Sequence, residues 1–505
     1  MQSQSREEAK ELIEKGKAFL EAKNYEEAKK NYEKVIEIAA DDIDAWLNLG
    51  RVYFDLKDYE KAKECSEKVI ELDENDIRGW HNLGISCNNL KLHEESKKCF
   101  ERITELVPKN PEGWFNLGKS FLILDDLMNA RKSFVISTVL DPKNPSVWHT
   151  AGLVQMLLEY YSEAVESLEE LTKLNEKNVD AWLILGLAHS KLGDYEKAKE
   201  SYEKAVERDK ENVGAWINLG GVYFDWKDYE KAKECAEKAV ELDKENVGAW
   251  MNLGLVHSKL EDYEKAKESY EKAVELDKEN VGAWMNLGGV YFNRKDYEKA
   301  KECYEKAIEL DKENVDAWSG LGGVYFNLKD YEKAKECVEK AVELDKENID
   351  AWMNLGVTHV KLKNYEIAKN CFEEGIRLDS ENEDAIVSQI EVLILKGDYE
   401  EAFEKARAHE NLFESKKYRI LALFFEVLSI ALQNKHDEFR DEIKKLFQHL
   451  ERTEKPYEVS WDFSDIMPTL EQNIEKEDLA MISLIIYVLQ GKADLKDLER
   501  KIKGK

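Results

Sequence analysis

Tryptophan recurs every 34 residues, and this spacing constrains the fold more than any other feature of the chain. Ten tryptophans keep the interval without a slip, namely Trp46, Trp80, Trp114, Trp148, Trp182, Trp216, Trp250, Trp284, Trp318 and Trp352. A single globular domain does not repeat one residue at a fixed interval, whereas an array of stacked units does. We therefore interpret most of the 505 residues as one long repeat array instead of several ordinary domains.

Each unit has the pattern of two amphipathic helices, which residues 281–314 show most clearly. The first helix is predicted by Trp284, Leu287, Gly288 and Tyr291, and the second by Tyr297, Ala300, Tyr304, Ala307 and Leu310, because steps of three and four place residues on one helical face. Asp296 is placed to cap the second helix, and Asn314 is placed to cap the first helix of the next unit. The unit is thus a helical hairpin.

A 34-residue hairpin with tryptophan, Leu-Gly, tyrosine and alanine at these offsets resembles the tetratricopeptide repeat family. The family usually has a proline near the end of each unit, which only Pro108 and Pro142 retain here. The resemblance implies an all-α fold, a right-handed superhelical solenoid of about twelve helix-turn-helix repeats with a helical C-terminal cap. It also implies a concave surface that is lined by the first helices and holds extended peptide segments.

The period gives the boundaries of the units. The first unit is expected to begin near residue 9, and the others at residues 43, 77, 111, 145, 179, 213, 247, 281, 315, 349 and 383. The array therefore occupies residues 1–416. Residues 417–505 lose the period, and we predict a helical cap with helices at 418–432, 438–450, 470–474, 479–489 and 494–502, interrupted at 456–461.

Charge restricts the class of partner. The chain has 75 basic and 106 acidic residues and a net charge of −31, so its field repels nucleic acid and anionic membranes and favours basic or neutral partners. Its longest apolar run, residues 479–489, is too short to span a bilayer, and its beginning is too polar for a signal peptide. We expect a soluble, cytoplasmic protein.

Catalytic and metal-binding patterns are missing from the sequence. It has no Gly-rich phosphate loop, no H-E-x-x-H and no nucleophile elbow, and the seven cysteines form no C-x-x-C pair. Six cysteines share one position of the second helix and are interpreted as packing residues. His189, His257 and His359 replace the core tyrosine of the first helix. Ser464 and Asp465 are residue types that often begin a helix. We predict no enzyme activity, no cofactor, no metal and no small-molecule substrate.

The predicted binding surface is built from positions that the hairpin core does not need. An asparagine recurs at the sixth position of the first helix, at Asn48, Asn82, Asn116, Asn218, Asn252, Asn286 and Asn354. An asparagine amide both donates and accepts, so a column of them can pair with the backbone of an extended chain of any sequence. Apolar residues flank the column, namely Met251, Met285, Met353, Leu183 and Ile217, with Phe54, Phe224, Phe292 and Phe326 one turn further on.

Two charged sets modify this surface. A candidate site for an anionic tail consists of Lys17, Arg51, Arg78 and Lys119 near the amino end, where Lys17, Asn48 and Arg78 match part of a carboxylate clamp known in the family. Later units instead have Asp180, Asp316, Asp350 and Asp384 at the start of first helices, with Asp225 further along. The acidic set also has a local explanation, since an acidic residue at a helix start stabilises the helix dipole.

Two functional hypotheses follow. The first is a non-catalytic scaffold or adaptor that binds an extended peptide segment along the concave surface. The alternative is a regulatory or targeting subunit whose C-terminal cap docks on a catalytic partner, or a co-chaperone that binds chaperone tails through the basic set.

Overall fold

The structure is a computed structural model in which residues 2–409, 413, 415–433, 435–453 and 463–503 are described, and every regular element in them is an α-helix. The chain divides into two compact units, residues 1–244 and 245–505. The predicted interruption at 456–461 lies outside the described residues.

The first unit contains seven helical hairpins. Its helices are α1 (Gln2–Glu21), α2 (Tyr25–Ile38), α3 (Ile43–Asp55), α4 (Tyr59–Leu72), α5 (Ile77–Asn89), α6 (His93–Leu106), α7 (Pro111–Ile123), α8 (Leu127–Leu140), α9 (Pro145–Leu157), α10 (Tyr161–Leu174), α11 (Val179–Lys191), α12 (Tyr195–Arg208), α13 (Val213–Asp225) and α14 (Tyr229–Leu242).

The second unit contains five more hairpins and then five further helices. The hairpins are formed by α15 (Val247–Lys259), α16 (Tyr263–Leu276), α17 (Val281–Asn293), α18 (Tyr297–Leu310), α19 (Val315–Asn327), α20 (Tyr331–Leu344), α21 (Ile349–Lys361), α22 (Tyr365–Leu378), α23 (Glu383–Lys396) and α24 (Tyr399–His409). The further helices are α25 (Lys416–Leu432), α26 (His436–Arg452), α27 (Met467–Asn473), α28 (Lys476–Leu489) and α29 (Leu495–Lys503).

The predicted repeat fold is confirmed, and eleven first helices begin at the residue that the period gives. The exception is α1, which begins at Gln2 instead of near Ala9.

Side-chain caps start the helices where the sequence predicts them. Asn314 accepts from the backbone N–H of Ala317 at the start of α19, and Asp296 accepts from that of Lys299 at the start of α18. Each bond satisfies one of the N–H groups that the first turn of a helix leaves without a partner. The same arrangement recurs at most helix starts along the array, whereas α6, α10 and α22 have no side-chain cap, so caps reinforce the boundaries that the period sets.

Within a hairpin, small residues allow the two helices to approach closely. In the hairpin of α17 and α18, Leu287, Tyr291, Ala300 and Tyr304 are buried. A Cβ atom on Gly288 would lie only 3.2 Å from the ring of Tyr304, so glycine provides the room that the tyrosine fills.

The repeated tryptophan joins one hairpin to the next. Its indole N–H donates to the backbone carbonyl six residues earlier, in the turn between repeats, at 2.8–3.0 Å in Trp46, Trp80, Trp114, Trp148, Trp182, Trp216, Trp284, Trp318 and Trp352. The ring is half-buried while its polar edge holds the turn.

The C-terminal helices share a core with the twelfth hairpin. Ile390 and Leu393 of α23, Leu421 and Phe424 of α25 and Ile485 of α28 belong to one buried cluster. The predicted boundary at 416/417 therefore falls inside a continuous core.

Two features of the C-terminal helices bear on the sequence interpretation. Residues 464–466 form a turn before α27 and not the helix start itself. Asp465 in this turn makes an ion pair with Lys361 at the end of α21. The carboxylate thus fixes the turn to the repeat array.

Candidate binding surface

First helices of successive repeats contact one another in both units. In the first unit α1 contacts α3, α3 contacts α5, and α9, α11 and α13 contact in succession. In the second unit α15, α17, α19 and α21 do the same. We call this surface the first-helix face. A side chain that points away from the hairpin core on these helices therefore has neighbours one repeat away.

The seven predicted asparagines lie on these helices with their amides accessible. Asn218 and Asn354 are exposed and the other five are half-buried. Asn48 donates to the carbonyl of Asp44 in its own helix, at 2.7 Å. The other six amides make no side-chain hydrogen bond in the described part of the chain. Their bonding capacity remains for a ligand or water.

The predicted apolar flank is partly occupied by the repeats themselves. Each phenylalanine packs edge-on or tilted against the tyrosine that opens the second helix of its own hairpin, with ring centroids 5.3–5.7 Å apart in the pairs Phe54–Tyr59, Phe224–Tyr229, Phe292–Tyr297 and Phe326–Tyr331. All four phenylalanines stay half-buried. A ligand would therefore meet a ring that is already fixed in place, which lowers the entropy lost on contact.

The methionines differ from one another. The Met251 methyl lies 3.6 Å from where a Cβ on Gly282 would be, so this side chain reaches the next repeat. Met353 packs against the cluster that contains Phe372. Met285 is half-buried. Each retains partial exposure and the flexibility of a thioether side chain.

A cavity of about 410 Å³ opens on the first-helix face between α3 and α5. It brings together five predicted residues, namely Asn48, Arg51, Phe54, Arg78 and Asn82. The sequence interpretation missed Asp44, Ile85 and Ser86, which also line it. A signal for Asp44 was available, because it stands one period before Arg78.

The basic residues near this cavity are not equally available. Arg78 donates to Asp44 at 3.0 Å and to Asp76 at 2.6 Å, and its guanidinium holds the pKa of Asp76 below the usual range. Lys17 pairs with Glu14 at 2.9 Å, which raises the lysine pKa. Arg51 is exposed and has no ion pair among the described residues. An anion would therefore meet Arg51 first.

The fourth predicted cation, Lys119, lies elsewhere. Its ammonium is 5.3 Å from the centre of the Phe115 ring, and it does not line the cavity. The structure thus groups Arg51 and Arg78 but not the whole predicted set.

The second unit has an acidic cavity of about 530 Å³ at the start of α23. Glu381, Glu383 and Asp384 line it together with His409 and Tyr418. The Tyr418 hydroxyl donates to Asp384, and burial together with this bond raises the tyrosine pKa. Asp384, a member of the predicted acidic set, thus lies among further carboxylates. Asp180, Asp316 and Asp350 are exposed at the start of their helices, while Asp225 is exposed at the end of α13.

The cysteines and histidines are packing residues. All seven thiols are buried, and burial raises the pKa of Cys65, Cys235, Cys303, Cys337 and Cys371 to about 12. Cys87 donates to the Glu95 carboxylate at 3.8 Å, and a side-chain interaction with Cys99 of the same hairpin lowers the pKa of the Cys87 thiol. His189, His257 and His359 are buried. No group of three or more metal-ligating side chains occurs in the described ranges.

Family comparisons agree with this architecture. Tetratricopeptide repeat models match residues 19–84, 77–110, 145–178, 179–212 and 213–279. The model of the C-terminal domain of cilia and flagella-associated protein 70 matches residues 249–432. The chain belongs to the tetratricopeptide repeat family. Its fold is that of a protein–protein interaction scaffold, and members of the family are typically non-catalytic.

Solved tetratricopeptide repeat structures are similar over different lengths. Yeast Tom70 is 18% identical, with 88% of this chain and 99% of that chain covered and a TM-score of 0.41. Cut9–Hcn1 is 15% identical, with 84% and 96% covered and a TM-score of 0.42. YrrB is 27% identical, with 37% and 96% covered and a TM-score of 0.32.

Two negative findings complete the comparison. No curated protein matches this tetratricopeptide repeat chain. Among its described helices, none has the length and apolar character needed to cross a bilayer.

Proposed function

We propose that the chain is a non-catalytic scaffold whose first-helix face binds an extended segment of a partner protein. The observation that carries this proposal is the column of asparagines whose amides are accessible and, except in Asn48, unbonded among the described side chains. Each such amide offers a donor and an acceptor in the repeat that carries it and requires no particular partner sequence.

The spacing of the repeats suits an extended chain. Packed helices lie roughly 8–10 Å apart, and an extended chain advances about 3.3 Å per residue. One repeat therefore corresponds to about three residues of ligand. Asn48, Asn82 and Asn116 stand in three successive repeats of the first unit, whereas Gly320 interrupts the column in the second unit. The first unit offers the longer ladder.

The cavity between α3 and α5 adds an anchor to this ladder. Phe54 and Ile85 supply apolar surface, and Arg51 supplies a positive charge without an ion-pair partner in the described chain. A neutral or apolar ligand side chain fits the pocket, and an acidic one near Arg51 would be stabilised. Basic segments are expected to prefer the acidic later repeats. No small-molecule substrate is needed for this function.

The proposal is tested with unstructured peptides displayed on phage and selected on the full chain, with affinities then measured by fluorescence anisotropy. Replacing Asn48, Asn82 and Asn116 by alanine should weaken binding about tenfold or more, since each hydrogen bond contributes roughly 0.5–1.5 kcal/mol. The matched control replaces Asn89, Asn293 and Asn370, which are exposed but not in the column.

A proline scan of the selected peptide tests the extended geometry. Proline removes a backbone donor, so losses should recur at about every third ligand residue. Equal binding by wild type and the column variant, with the control also unchanged, would show that the asparagines do not hold the ligand.

The alternative function, in which the C-terminal cap docks on an enzyme, cannot be tested by deleting the cap. Because Ile390 and Leu393 share a core with α25, removal of residues 417–505 would expose apolar surface and unfold the twelfth hairpin. Exposed substitutions on the cap, such as Tyr487→Glu, leave that core intact and test docking directly.

A further inference from the structure

Helix α8 has an apolar outer surface where the other second helices are charged. Met128, Val135 and Val139 are 51%, 38% and 76% exposed. They are the second, ninth and thirteenth residues of the helix. We call these three residues together with Lys132 the α8 face.

The same three positions are glutamates in eight of the other second helices. They are Glu26, Glu33 and Glu37 in α2, Glu60, Glu67 and Glu71 in α4, Glu94, Glu101 and Glu105 in α6, Glu196, Glu203 and Glu207 in α12, and the corresponding residues of α14, α16, α18 and α20. Among the second helices of hairpins one to eleven, only α8 is apolar at all three. The fourth hairpin thus lacks three charges that keep this side solvated in eight other hairpins.

Local packing explains one of the three changes. Elsewhere the ninth residue can accept a hydrogen bond from the tyrosine of the next first helix, as Glu33 does from Tyr53 at 3.0 Å. In the fifth hairpin that tyrosine is replaced by Gln155, which is buried, so Val135 loses no such bond. Met128 and Val139 have no comparable internal reason, and they are the more exposed pair.

The spacing of the α8 face fits another helix. Met128, Lys132, Val135 and Val139 follow one another at steps of four, three and four, so they form one stripe along α8. This is the spacing at which two helices pack side by side along a seam. A second helix can therefore cover all four side chains at once.

Charge selects the kind of helix. α8 contains Arg131 and Lys132 and no acidic residue. Arg131 is already held by Glu163, with Nε at 2.9 Å and Nη2 at 2.6 Å from its carboxylate oxygens. Lys132 is exposed and has no ion pair in the described residues, and the same is true of Lys98 one period earlier. A second copy of α8 would bring lysine toward lysine, whereas an acidic helix would neutralise them.

We propose that the α8 face binds an amphipathic α-helix of a partner protein, with an apolar stripe at steps of three and four and acidic residues beside it. This site goes beyond the proposed function, since it lies on a second helix and uses none of the asparagine column. A scaffold with both surfaces could hold an extended segment and a helix at the same time.

The test is a phage-displayed library of helical peptides selected on the full chain. A second selection is made on the variant Met128→Glu/Val135→Glu/Val139→Glu, which restores the residues found in eight other repeats and so should keep the fold. We expect wild type alone to enrich peptides with apolar residues at steps of three and four flanked by Asp or Glu. Measured by anisotropy, the affinity for such a peptide should fall at least tenfold in the triple variant and about three- to tenfold in Lys132→Glu.

Two controls make the result specific. The variant Asn370→Glu/Arg377→Glu makes the same total charge change on the exposed side of α22, and it should bind like wild type. The triple alanine variant of Asn48, Asn82 and Asn116 should also keep the helical peptide.

The proposal is overturned if no periodic peptide is enriched, if the enriched peptides are basic, or if the triple variant selects the same ones. It is also overturned if light scattering shows a dimer of the wild type that the triple variant dissociates, because the α8 face would then be covered by a second copy.

Discussion

Helices α17 and α25 are both apolar, yet they are used in opposite ways. α17 buries five of its 13 residues, including Ala283 and Gly288, and leaves Asn286 accessible on the first-helix face. α25 buries 13 of its 17 residues, from Ile420 to Leu432. A repeat helix thus keeps a surface for partners, whereas α25 gives up nearly all of its surface to the core.

The difference lies in how each region gains stability. A repeat gains it from close contacts with its neighbours through small residues, so each contribution is local. The C-terminal core instead contains large side chains from α23 to α29 that depend on one another. Damage should therefore spread further in the C-terminal core than in the array.

Truncation of Phe424 in α25 should have the largest effect. This ring is fully buried and meets Phe463 edge-on with centroids 5.3 Å apart. Phe424→Ala should cost about 3–5 kcal/mol of unfolding free energy, as burial and cavity terms add. Hydrogen exchange followed by mass spectrometry should show lost protection from α23 to α28. Phe292→Ala, at a half-buried ring on α17, is the comparison and should lose protection only near its own hairpin. If protection were lost over equally many helices in the two variants, the repeats would not be stabilised locally.

Adjacent glycines in α19 should respond in opposite directions to alanine. A Cβ on Gly322 would lie 2.5 Å from Val338 Cγ2, while one on Gly323 meets nothing closer than 3.8 Å. Because Val338 is buried, Gly322→Ala should destabilise by about 1–3 kcal/mol through overpacking. Gly323→Ala should stabilise by up to about 1 kcal/mol through helix propensity. Urea denaturation read by exchange in α19 and α20 measures both. A loss of stability in both variants would mean that the close approach involves the whole helix.

Much of the fold could be predicted from the sequence because the repeat period marks the boundaries of each unit. Trp284, Asp296 and Asn314 each recur at one interval, and tryptophan bonds, caps and period agree on the same residues. The C-terminal helices were also predicted, since their apolar runs are long. What the sequence could not show is that Leu393 and Leu421 share one core, because no period relates the two.

The candidate site was less predictable, since it depends on pairs across repeats. The column position of Asn82 could be read directly, but the partners of Arg78 could not be deduced from that column alone. The α8 face was missed for a different reason. Each of its residues is an ordinary apolar residue of a helix. The glutamates at the same positions of eight other repeats were the available signal, and the structure shows that Val139 faces outward.

Acid should destabilise the repeat array more than the C-terminal core, by less than the substitutions above. Burial lowers the pKa of His359 in α21, because the interior disfavours the imidazolium ion. As the pH falls below about 6.5, this histidine is protonated in the unfolded chain before it is protonated in the folded chain. The free energy of unfolding therefore decreases. The loss levels off below the lowered pKa of the folded state. Helix α25 contains no histidine and should change less over this range.

Hydrogen exchange across the range from about pH 7.5 to 5.5, corrected for the intrinsic exchange rate, measures this difference between α21 and α25. His359→Tyr introduces the tyrosine that the two preceding repeats have at this position, Tyr291 and Tyr325. It should flatten the pH dependence of protection in α21. The reciprocal variant Tyr325→His should create such a dependence in α19. If His359→Tyr leaves the slope in α21 unchanged while Tyr325→His adds none, the acid sensitivity of the array does not arise from its buried histidines. The exposed carboxylates at the helix starts would then be the groups to test.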